Sequence, residues 1–328
     1  MGRRLDLKVG FKCNNNCIFC AQAHKKYLGD QTTETLKEQL MVAKNDGCDE
    51  VVFTGGEPTI RDDIVQLIIF AHEMEYELIQ IQSNGRMFSY KDFVKRVDDA
   101  GTDEFSPAIH GHIPEIHDAQ TRVNGSFTQT YNGIKNLKDA GQDIITNTVI
   151  TKFNYRFLPE IAEMLIKLGV NQFQLAFVHP VGNSWNFFDV VVPRKNDVVR
   201  YVHRALDLAI ESGYKPGEVM VEAFPFCFLQ GYEAFCSELY IPPAEVKDAT
   251  MTIKKFEDWR KIEGKRKFKQ CRDCKYRVVC EGPWKEYPEK YGDGEFKPVK
   301  GELIKHIEDT VMPEVKRAEF KRIKLLDE

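Results

Sequence analysis

Eight residues near the start of the sequence, Cys13-Asn14-Asn15-Asn16-Cys17-Ile18-Phe19-Cys20, carry three cysteines separated by three and then two residues. They follow an extended-looking run, Leu5–Phe11, and the asparagines between the first two cysteines favour a loop over a helix. Thiolates at this spacing can turn inward on one soft metal centre, and iron–sulfur clusters are held by cysteine thiolates. A cubane cluster needs four ligands, so three cysteines leave one iron open for chemistry, as in a catalytic zinc site.

A second motif follows the next predicted strand. The run Glu50–Thr54 is typical of a buried strand and leads into Gly55-Gly56-Glu57-Pro58. Its two glycines allow another backbone to approach closely, and Pro58 fixes the direction in which the chain leaves. Alone, the cysteines also fit a zinc knuckle or unrelated thiols, and the turn alone fits an ordinary strand-to-helix connection. Together, in this order and about one βα unit apart, the two motifs argue against a chance match.

These motifs, with Phe19 before the third cysteine, resemble those of the radical S-adenosylmethionine (radical SAM) superfamily. The resemblance implies a [4Fe–4S] cluster on Cys13, Cys17 and Cys20, with SAM chelating the open iron through its amino and carboxylate groups. It also implies that the Gly55–Pro58 turn hydrogen-bonds the methionine amine of SAM. The implied activity is enzymatic. The reduced cluster breaks the C5′–S bond of SAM, and the 5′-deoxyadenosyl radical abstracts a hydrogen atom in an oxidation, an epimerisation or another radical-mediated modification.

Alternating strand and helix patterns extend through the first 215 residues. Strands are predicted at residues 5–11, 51–54, 77–82, 104–109, 143–150 and 172–178, and helices near residues 33–47, 62–75, 90–100, 127–140, 158–168 and 197–212. This alternation predicts an α/β protein with a parallel sheet and right-handed crossovers. The six predicted βα units are two short of a closed TIM barrel and match the partial (β/α)6 barrel that the resemblance implies.

The composition narrows the class of protein. The chain has 328 residues, of which 42% are apolar, and a formal net charge of −4, which gives no basis for nonspecific binding to nucleic acid. No apolar run approaches the ~20 residues of a membrane span, so we expect a cytoplasmic protein without a membrane partner. In a reducing compartment, nine cysteines indicate metal binding and not a disulfide framework.

A second group of cysteines, Cys271, Cys274 and Cys280, lies in a basic segment, with Cys227 upstream. With Glu281-Gly282 after the last cysteine, the group resembles the auxiliary-cluster extensions called SPASM and twitch. The chain has too few cysteines for SPASM, which favours the single-cluster twitch form. We predict a second, auxiliary [4Fe–4S] cluster on these four cysteines. A structural zinc ion or a three-ligand cluster is the alternative.

The predicted domains follow from these assignments. Residues 1–215 form the radical SAM core, residues 216–285 the cysteine-rich auxiliary-cluster extension, which begins with a further strand near residues 219–224, and residues 286–328 a helical tail with its helix around 302–326. Cys236 is an alternative fourth ligand in place of Cys227, and Cys48 is predicted to be a buried or spare thiol.

Candidate site residues are predicted at the carboxyl ends of strands. Ser83 and Asn84 end the third strand, where many members of the superfamily contact SAM, although a plain turn explains them equally well. His110 ends the fourth strand. Many members have a Ser-Leu-Asp-Gly type motif there, and its absence makes His110 a catalytic, substrate-side candidate. A polar histidine at a loop mouth is the alternative.

Arg122 lies in a His-Asp…Arg…Gly-Ser-Phe run that relatives share, and we predict a catalytic and SAM-binding role in which it binds a carboxylate.

Two polar residues interrupt predicted apolar strands. Asn147 lies in the fifth strand and Gln174 in the sixth. Buried polar groups need partners, so bound SAM is a candidate partner for both, with hydrogen bonding inside the protein as the alternative.

The predicted partners follow from the implied chemistry. Because the cysteine loop begins at residue 13, we expect no separate peptide-recognition domain before it. The substrate is then a small molecule or a peptide delivered by another protein. A flavodoxin- or ferredoxin-type protein is the expected electron donor. The alternative function is a non-catalytic iron–sulfur or zinc protein, an electron carrier or a scaffold, but such a protein has no need of the Gly55–Pro58 turn.

Overall fold

Nine strands form one sheet in the computed structural model, which describes residues 2–306. The strands are β1 (Arg3–Lys8), β2 (Cys48–Thr54), β3 (Leu78–Ser83), β4 (Glu104–Pro107), β5 (Asp143–Ile150), β6 (Gln172–Phe177), β7 (Val219–Glu222), β8 (Ala244–Lys247) and β9 (Thr252–Ile253). The helices of this part of the chain are α1 (Thr33–Asn45), α2 (Ile64–Glu73), α3 (Lys91–Asp99), α4 (Pro114–Thr121), α5 (Ser126–Asp139), α6 (Leu158–Leu168), α7 (Asn183–Asn186), α8 (Phe188–Val191), α9 (Lys195–Glu211), α10 (Phe256–Trp259) and α11 (Tyr287–Tyr291). Most of the helix predicted around residues 302–326 lies outside the described residues. None of the helices found between residues 2 and 306 is long and apolar enough to cross a membrane.

The strand order is β7-β6-β5-β4-β3-β2-β1-β8-β9. Strands β1 to β8 pair in parallel with their neighbours, and β9 runs antiparallel to β8. Within the described residues β7 and β8 do not pair with each other, so the sheet is an open barrel. The predicted partial barrel with a parallel sheet is confirmed.

Two parallel strands lie beyond the six predicted βα units. β7 agrees with the further strand predicted near residues 219–224, whereas β8 was not predicted. β8 is four residues long and lies where aromatic, proline and charged residues mix without a clear period. Both strands belong to the segment assigned to the auxiliary extension, yet they hydrogen-bond to the edges of the barrel sheet.

The first helix begins where the sequence predicts. The side chain of Thr32 accepts a hydrogen bond from Thr35 N at 3.2 Å and caps α1. Such a cap contributes ~1 kcal/mol. Leu36, Leu40 and Ala43 fall at helical spacing on one face of α1 and are fully buried.

The first strand shows how the barrel separates its two faces. Leu5 and Leu7 are fully buried in the apolar core that also contains the stripe of α1. The intervening Arg4 points to the opposite face, the barrel interior, because side chains alternate along a strand. There, Arg4 Nε pairs with Glu50 Oε2 of β2 at 3.0 Å. The barrel interior is therefore polar at this level.

Candidate active site

The cysteine loop (residues 13–20) connects β1 to α1 at the carboxyl end of the sheet. On one side, Asn16 N donates to Thr121 O of α4 at 2.9 Å. On the other side, Asn183 Nδ2 of α7 donates to Cys17 O at 3.0 Å. The backbone of the loop is thus held between two helices by contacts that do not involve the thiols.

The three thiols of the loop influence one another. Burial raises the pKa of Cys13, Cys17 and Cys20, and for Cys17 the two neighbouring thiols raise it further. Lys26 lowers the pKa of each thiol, but less than burial raises it. Buried thiols of this kind ionise when a cation replaces their protons, and thiolates prefer soft centres.

A single metal ion and a cluster need different spacings of their thiolate ligands. Between residues 2 and 306, no group of three His, Cys, Asp or Glu side chains lies close enough together to hold a single ion. A zinc ion requires its thiolates at ~2.3 Å from one centre. A cubane cluster instead distributes its thiolates over separate irons, so they stand further apart.

The Gly55–Pro58 turn packs directly against the start of the cysteine loop. Gly56 N donates to Gly10 O at 2.8 Å, and a Cβ at Gly56 would collide with Lys12 O. Gly55 has a φ of +121°, and a Cβ there would collide with Gly10 O. Both glycines are therefore required for the close approach of the two backbones.

The carboxylate of Glu57 joins this turn to the end of β3. It accepts hydrogen bonds from Thr59 N at 3.0 Å, Ser83 Oγ at 2.8 Å and Asn84 N at 2.7 Å. Burial raises the pKa of Glu57, and these hydrogen bonds oppose the rise. Glu57 therefore positions the predicted SAM contacts Ser83 and Asn84, and its own contact with SAM stays a prediction.

Arg86 holds the cysteine loop to the end of β3, a role that the sequence analysis missed. Its Nη1 donates to Asn14 O at 2.6 Å and to Asn15 Oδ1 at 3.0 Å, and its Nε donates to Gln129 Oε1 at 2.6 Å. Asn84 Nδ2 also donates to Asn14 Oδ1 at 2.6 Å. The sequence signal for this role was the position of Arg86, a cation two residues after Asn84 at the end of the third predicted strand.

His110 is buried at the end of β4 and meets Phe19 edge to face, with 4.7 Å between ring centroids. Its Nδ1 accepts from Val149 N at 3.2 Å, and its backbone N donates to His117 Nδ1 at 3.0 Å. Burial, and then the His117 ring, lower the pKa of His110 well below its usual value, so the imidazole is neutral. This packing gives Phe19 and His110 a role in supporting the cysteine loop. The catalytic role of His110 stays a prediction.

Arg122 follows α4 in a left-handed conformation, with a φ of 58°. Its side chain is exposed and its guanidinium carbon lies 5.0 Å from the centre of the Phe187 ring. Most of the shared run around it has a structural explanation, because the Asp118 carboxylate accepts from Gly125 N and Phe127 N, both at 2.7 Å, at the start of α5. The predicted contact of Arg122 with a carboxylate stays a prediction.

The two polar residues predicted inside strands differ. Asn147 Oδ1 is buried and has no hydrogen-bond partner in the described part of the chain. Gln174 Nε2 donates to Glu222 Oε2 at 2.6 Å, and its Oε1 accepts from Ser237 Oγ at 3.2 Å. The amide oxygen of Asn147 therefore still needs a hydrogen-bond partner, and bound SAM stays the predicted one. The side chain of Gln174 does not need SAM as a partner, because the protein itself supplies its hydrogen bonds.

The second group of cysteines also comes together. One cavity is lined by Cys227, Cys271, Cys274 and Cys280. Burial, and then the other three thiols, raise the pKa of Cys227 to about 12. Cys236 does not line this cavity, and its buried thiol donates to Glu238 Oε2 at 3.1 Å. The geometry thus groups Cys227, and not the alternative Cys236, with the other cysteines. Cys48 is buried at the start of β2, as predicted.

A buried charged cluster that was not predicted adjoins the carboxyl end of β7. Arg260 donates to both carboxylate oxygens of Glu281 at 2.8 Å. Lys265 Nζ lies 3.2 Å from Glu281 Oε2 and also pairs with Glu238. Burial raises the pKa of Glu222, the last residue of β7, and Lys265 and Arg260 lower it. In the sequence, these charges are indistinguishable from those of a solvated surface.

Two hydrogen-bond donors of this cluster and its surroundings are unused. Arg260 Nη1 and Trp284 Nε1 are buried and have no partner among residues 2–306. The Trp284 ring stacks on His179, two residues after β6, with 3.9 Å between ring centroids. A ligand with oxygen acceptors can satisfy such donors.

The comparison with protein families agrees with this geometry. A model described as the radical SAM superfamily matches residues 7–165, which include the cysteine loop, the Gly55–Pro58 turn and the ends of β3 and β4. Over these residues, just under half of the chain, the predicted resemblance to the radical SAM superfamily is confirmed, and the prediction of an enzyme agrees with the similar proteins described next.

The similar proteins differ in activity. The chain is 25% identical to the AdoMet-dependent heme synthase of Oleidesulfovibrio alaskensis, over 85% of this chain and 82% of that protein. It is 32% identical to the probable GTP 3′,8-cyclase of Saccharolobus islandicus, over 55% of this chain and 59% of that protein. Among solved structures, Streptococcus suis SuiB bound to the precursor peptide SuiA has a TM-score of 0.60 at 16% identity. That match covers 81% of this chain and 62% of SuiB, so the chain spans less than two thirds of SuiB.

Proposed function

We propose that this enzyme uses a three-cysteine [4Fe–4S] cluster and SAM to abstract a hydrogen atom from a small-molecule or peptide substrate. The observation that carries the proposal is the backbone contact between the Gly55–Pro58 turn and the cysteine loop. It brings the three thiols beside the turn that in this superfamily contacts SAM. When bound, the cluster and SAM supply the electron and the 5′-deoxyadenosyl radical.

In this proposal, the chain's own residues hold and orient those groups. Cys13, Cys17 and Cys20 ligate the cluster, and the backbone of the turn faces the methionine end of SAM. Glu57 accepts a hydrogen bond from Asn84 N and keeps that residue in place. Each of these roles depends on local hydrogen bonds that are already formed in the protein.

The direct test is anaerobic reconstitution with iron and sulfide, followed by dithionite and SAM. We expect 5′-deoxyadenosine, identified by chromatography and mass spectrometry. Protein that carries the first cluster by its electron paramagnetic resonance (EPR) spectrum and yet forms no 5′-deoxyadenosine would refute the proposed activity.

Replacing Gly56 by Ala should separate the turn from the cysteine loop. The added Cβ meets the backbone carbonyl of Lys12, which cannot move without shifting the loop, and overpacking of this kind costs ~1–3 kcal/mol. We expect 5′-deoxyadenosine formation to fall at least roughly tenfold, since misplacement of reacting groups is costly. Gly294→Ala is the matched control, because nothing lies within 4 Å of a Cβ at that position. An undiminished rate in Gly56→Ala would contradict the role of the contact.

For the second group of cysteines we propose an auxiliary [4Fe–4S] cluster that aids electron transfer or substrate binding. The support is the single cavity that Cys227, Cys271, Cys274 and Cys280 line. A structural zinc ion on the same four thiolates is the alternative. Four thiolates saturate a cubane, so this cluster would have no open iron for SAM.

Metal content tests this second proposal. Reconstituted protein should hold about eight irons per chain, four for each cubane. A Cys13/Cys17/Cys20→Ala triple variant should retain about half of them. Zinc found by elemental analysis in place of the remaining iron would show a structural zinc site instead.

We also propose that the substrate is polar and carries oxygen acceptors. The relatives are named for different products, heme and a cyclised GTP, and the SuiB structure contains a peptide, so these likenesses do not select one substrate. The support comes from the unused donors Arg260 Nη1 and Trp284 Nε1 beside the end of the barrel. We place the enzyme in the cytoplasm, with a flavodoxin- or ferredoxin-type protein as its electron donor.

A further inference from the structure

We propose that the surface around the second group of cysteines is the docking site for a small acidic electron-transfer protein. This inference rests on the proposed auxiliary cluster. The surface, termed the basic face, comprises the exposed side chains of Lys261, Lys267, Arg277, Lys297 and Lys305.

Residues of the basic face line two adjoining openings at the second group of cysteines. Lys267, Arg277 and Lys297 line the cavity that contains the four cysteines. Lys261, Lys267 and Lys305 line an adjoining cleft of about 350 Å³, and Cys280 lies in the walls of both. A partner seated on these side chains would therefore lie next to a cluster ligand.

The charge of this region contrasts with that of the whole chain. Residues 260–277 contain nine Lys and Arg and two Asp and Glu, whereas the chain as a whole has 46 and 50. The side chains of Lys261, Lys297 and Lys305 make no hydrogen bond or ion pair with other residues between 2 and 306. These cations are therefore available to a partner, and a concentrated charge of one sign steers a partner of the opposite sign.

The surface also carries two exposed apolar side chains. Val278 is 54% exposed and lines the cleft, and Ile262, next to Lys261, is 73% exposed. Protein interfaces usually combine apolar side chains with a charged rim, and the interfaces of redox encounter complexes are small. No large exposed aromatic side chain of the described residues lies in the segment 260–306, so the surface lacks the stacking platform of single-stranded nucleic-acid sites. An acidic protein is thus favoured over nucleic acid.

The electron balance of the docked complex is simple. In the direction tested below, one electron leaves the reduced carrier, which is oxidised by one equivalent, and reduces the auxiliary cluster by one equivalent. No bond is made or broken at the basic face.

The test compares two double variants of the reconstituted, full-length enzyme. Lys261→Glu/Lys305→Glu reverses two charges of the cleft, and Lys135→Glu/Lys138→Glu makes the same change on the exposed face of α5. Each enzyme is mixed by stopped flow with an acidic flavodoxin in its hydroquinone state, at low and at high ionic strength. A photoreduced deazaflavin serves as a small reductant that needs no docking surface.

For the cleft variant, we expect flavodoxin oxidation to slow roughly tenfold at low ionic strength, the scale of electrostatic steering. The difference should shrink in high salt, where the Debye length falls below ~8 Å. The α5 variant and the deazaflavin rates should match wild type.

Equal flavodoxin rates for the two variants, in enzyme that holds both clusters, would overturn the docking site. So would a cleft variant that loses binding of an oligonucleotide while its flavodoxin rate is unchanged. If wild type contains zinc and takes up one electron per chain instead of two, the auxiliary cluster itself is refuted.

Discussion

Replacing Cys17 by Ala should abolish SAM cleavage. Cys17 is the middle ligand of the cysteine loop, and its half-buried thiol interacts with both Cys13 and Cys20. Two remaining thiolates cannot hold the cubane that must deliver the electron, so 5′-deoxyadenosine formation under dithionite should fall by roughly 100-fold or more. The iron content should drop from about eight to about four per chain, because the auxiliary site keeps its cluster.

The fold should survive this change. The loop is held through Cys17 O, which accepts from Asn183, and through Asn16 N, and the substitution alters neither group. Circular dichroism and thermal unfolding should therefore match wild type prepared without clusters. Cys48→Ala is the matched control, since Cys48 is buried at the start of β2, away from both groups of cysteines. Wild-type 5′-deoxyadenosine formation by an Ala variant of any of the three loop cysteines would contradict the assignment.

The fold was predictable wherever one local pattern determines the structure. The apolar runs that became β2, β5 and β6 alternate with amphipathic helices, and this pattern alone specifies a parallel sheet. The start of α1 depends on such a local pattern, because the hydroxyl of Thr32 accepts from an N–H of the first turn of the helix. Such features depend on residues close in sequence, which a single chain displays directly.

The missed elements depend on distant partners. β8 is stabilised by pairing with β1, which lies about 240 residues earlier, and its own four residues carry little apolar signal. Helix α4 has only three buried residues in eight, and much of its role is to receive the cysteine loop.

The candidate site divides in the same way. The three loop cysteines and the two glycines of the turn were identifiable because their chemistry or their backbone conformation excludes other residue types. Glu57 was predicted to bind the cofactor, and its oxygens also accept hydrogen bonds from Ser83 and Asn84, some 26 residues further on. No spacing in the sequence encodes that pairing.

Losing the auxiliary cluster should uncouple the reaction and leave radical formation intact. Cys271 is half-buried in the wall of the cavity that the four cysteines line. Cys271→Ala therefore removes a ligand with little change in packing. Cys274→Ala removes a more deeply buried ligand, whose Sγ accepts from Val299 N at 3.4 Å. In both variants SAM cleavage without substrate should stay within about twofold of wild type, because the first cluster lies on the barrel's own loop.

With the substrate present, the same variants should form 5′-deoxyadenosine but little or no product. The ratio of 5′-deoxyadenosine to product should rise at least roughly tenfold, since the substrate radical loses its electron-transfer partner or its binding site. EPR spectroscopy and an iron content near four per chain verify that the cluster is absent. Cys236→Ala is the matched control, because Cys236 is a buried thiol of the same region that bonds to Glu238 and lies outside the cavity. Full product formation by Cys271→Ala or Cys274→Ala protein that lacks the second cluster would show that this cluster serves only to fold the segment around it.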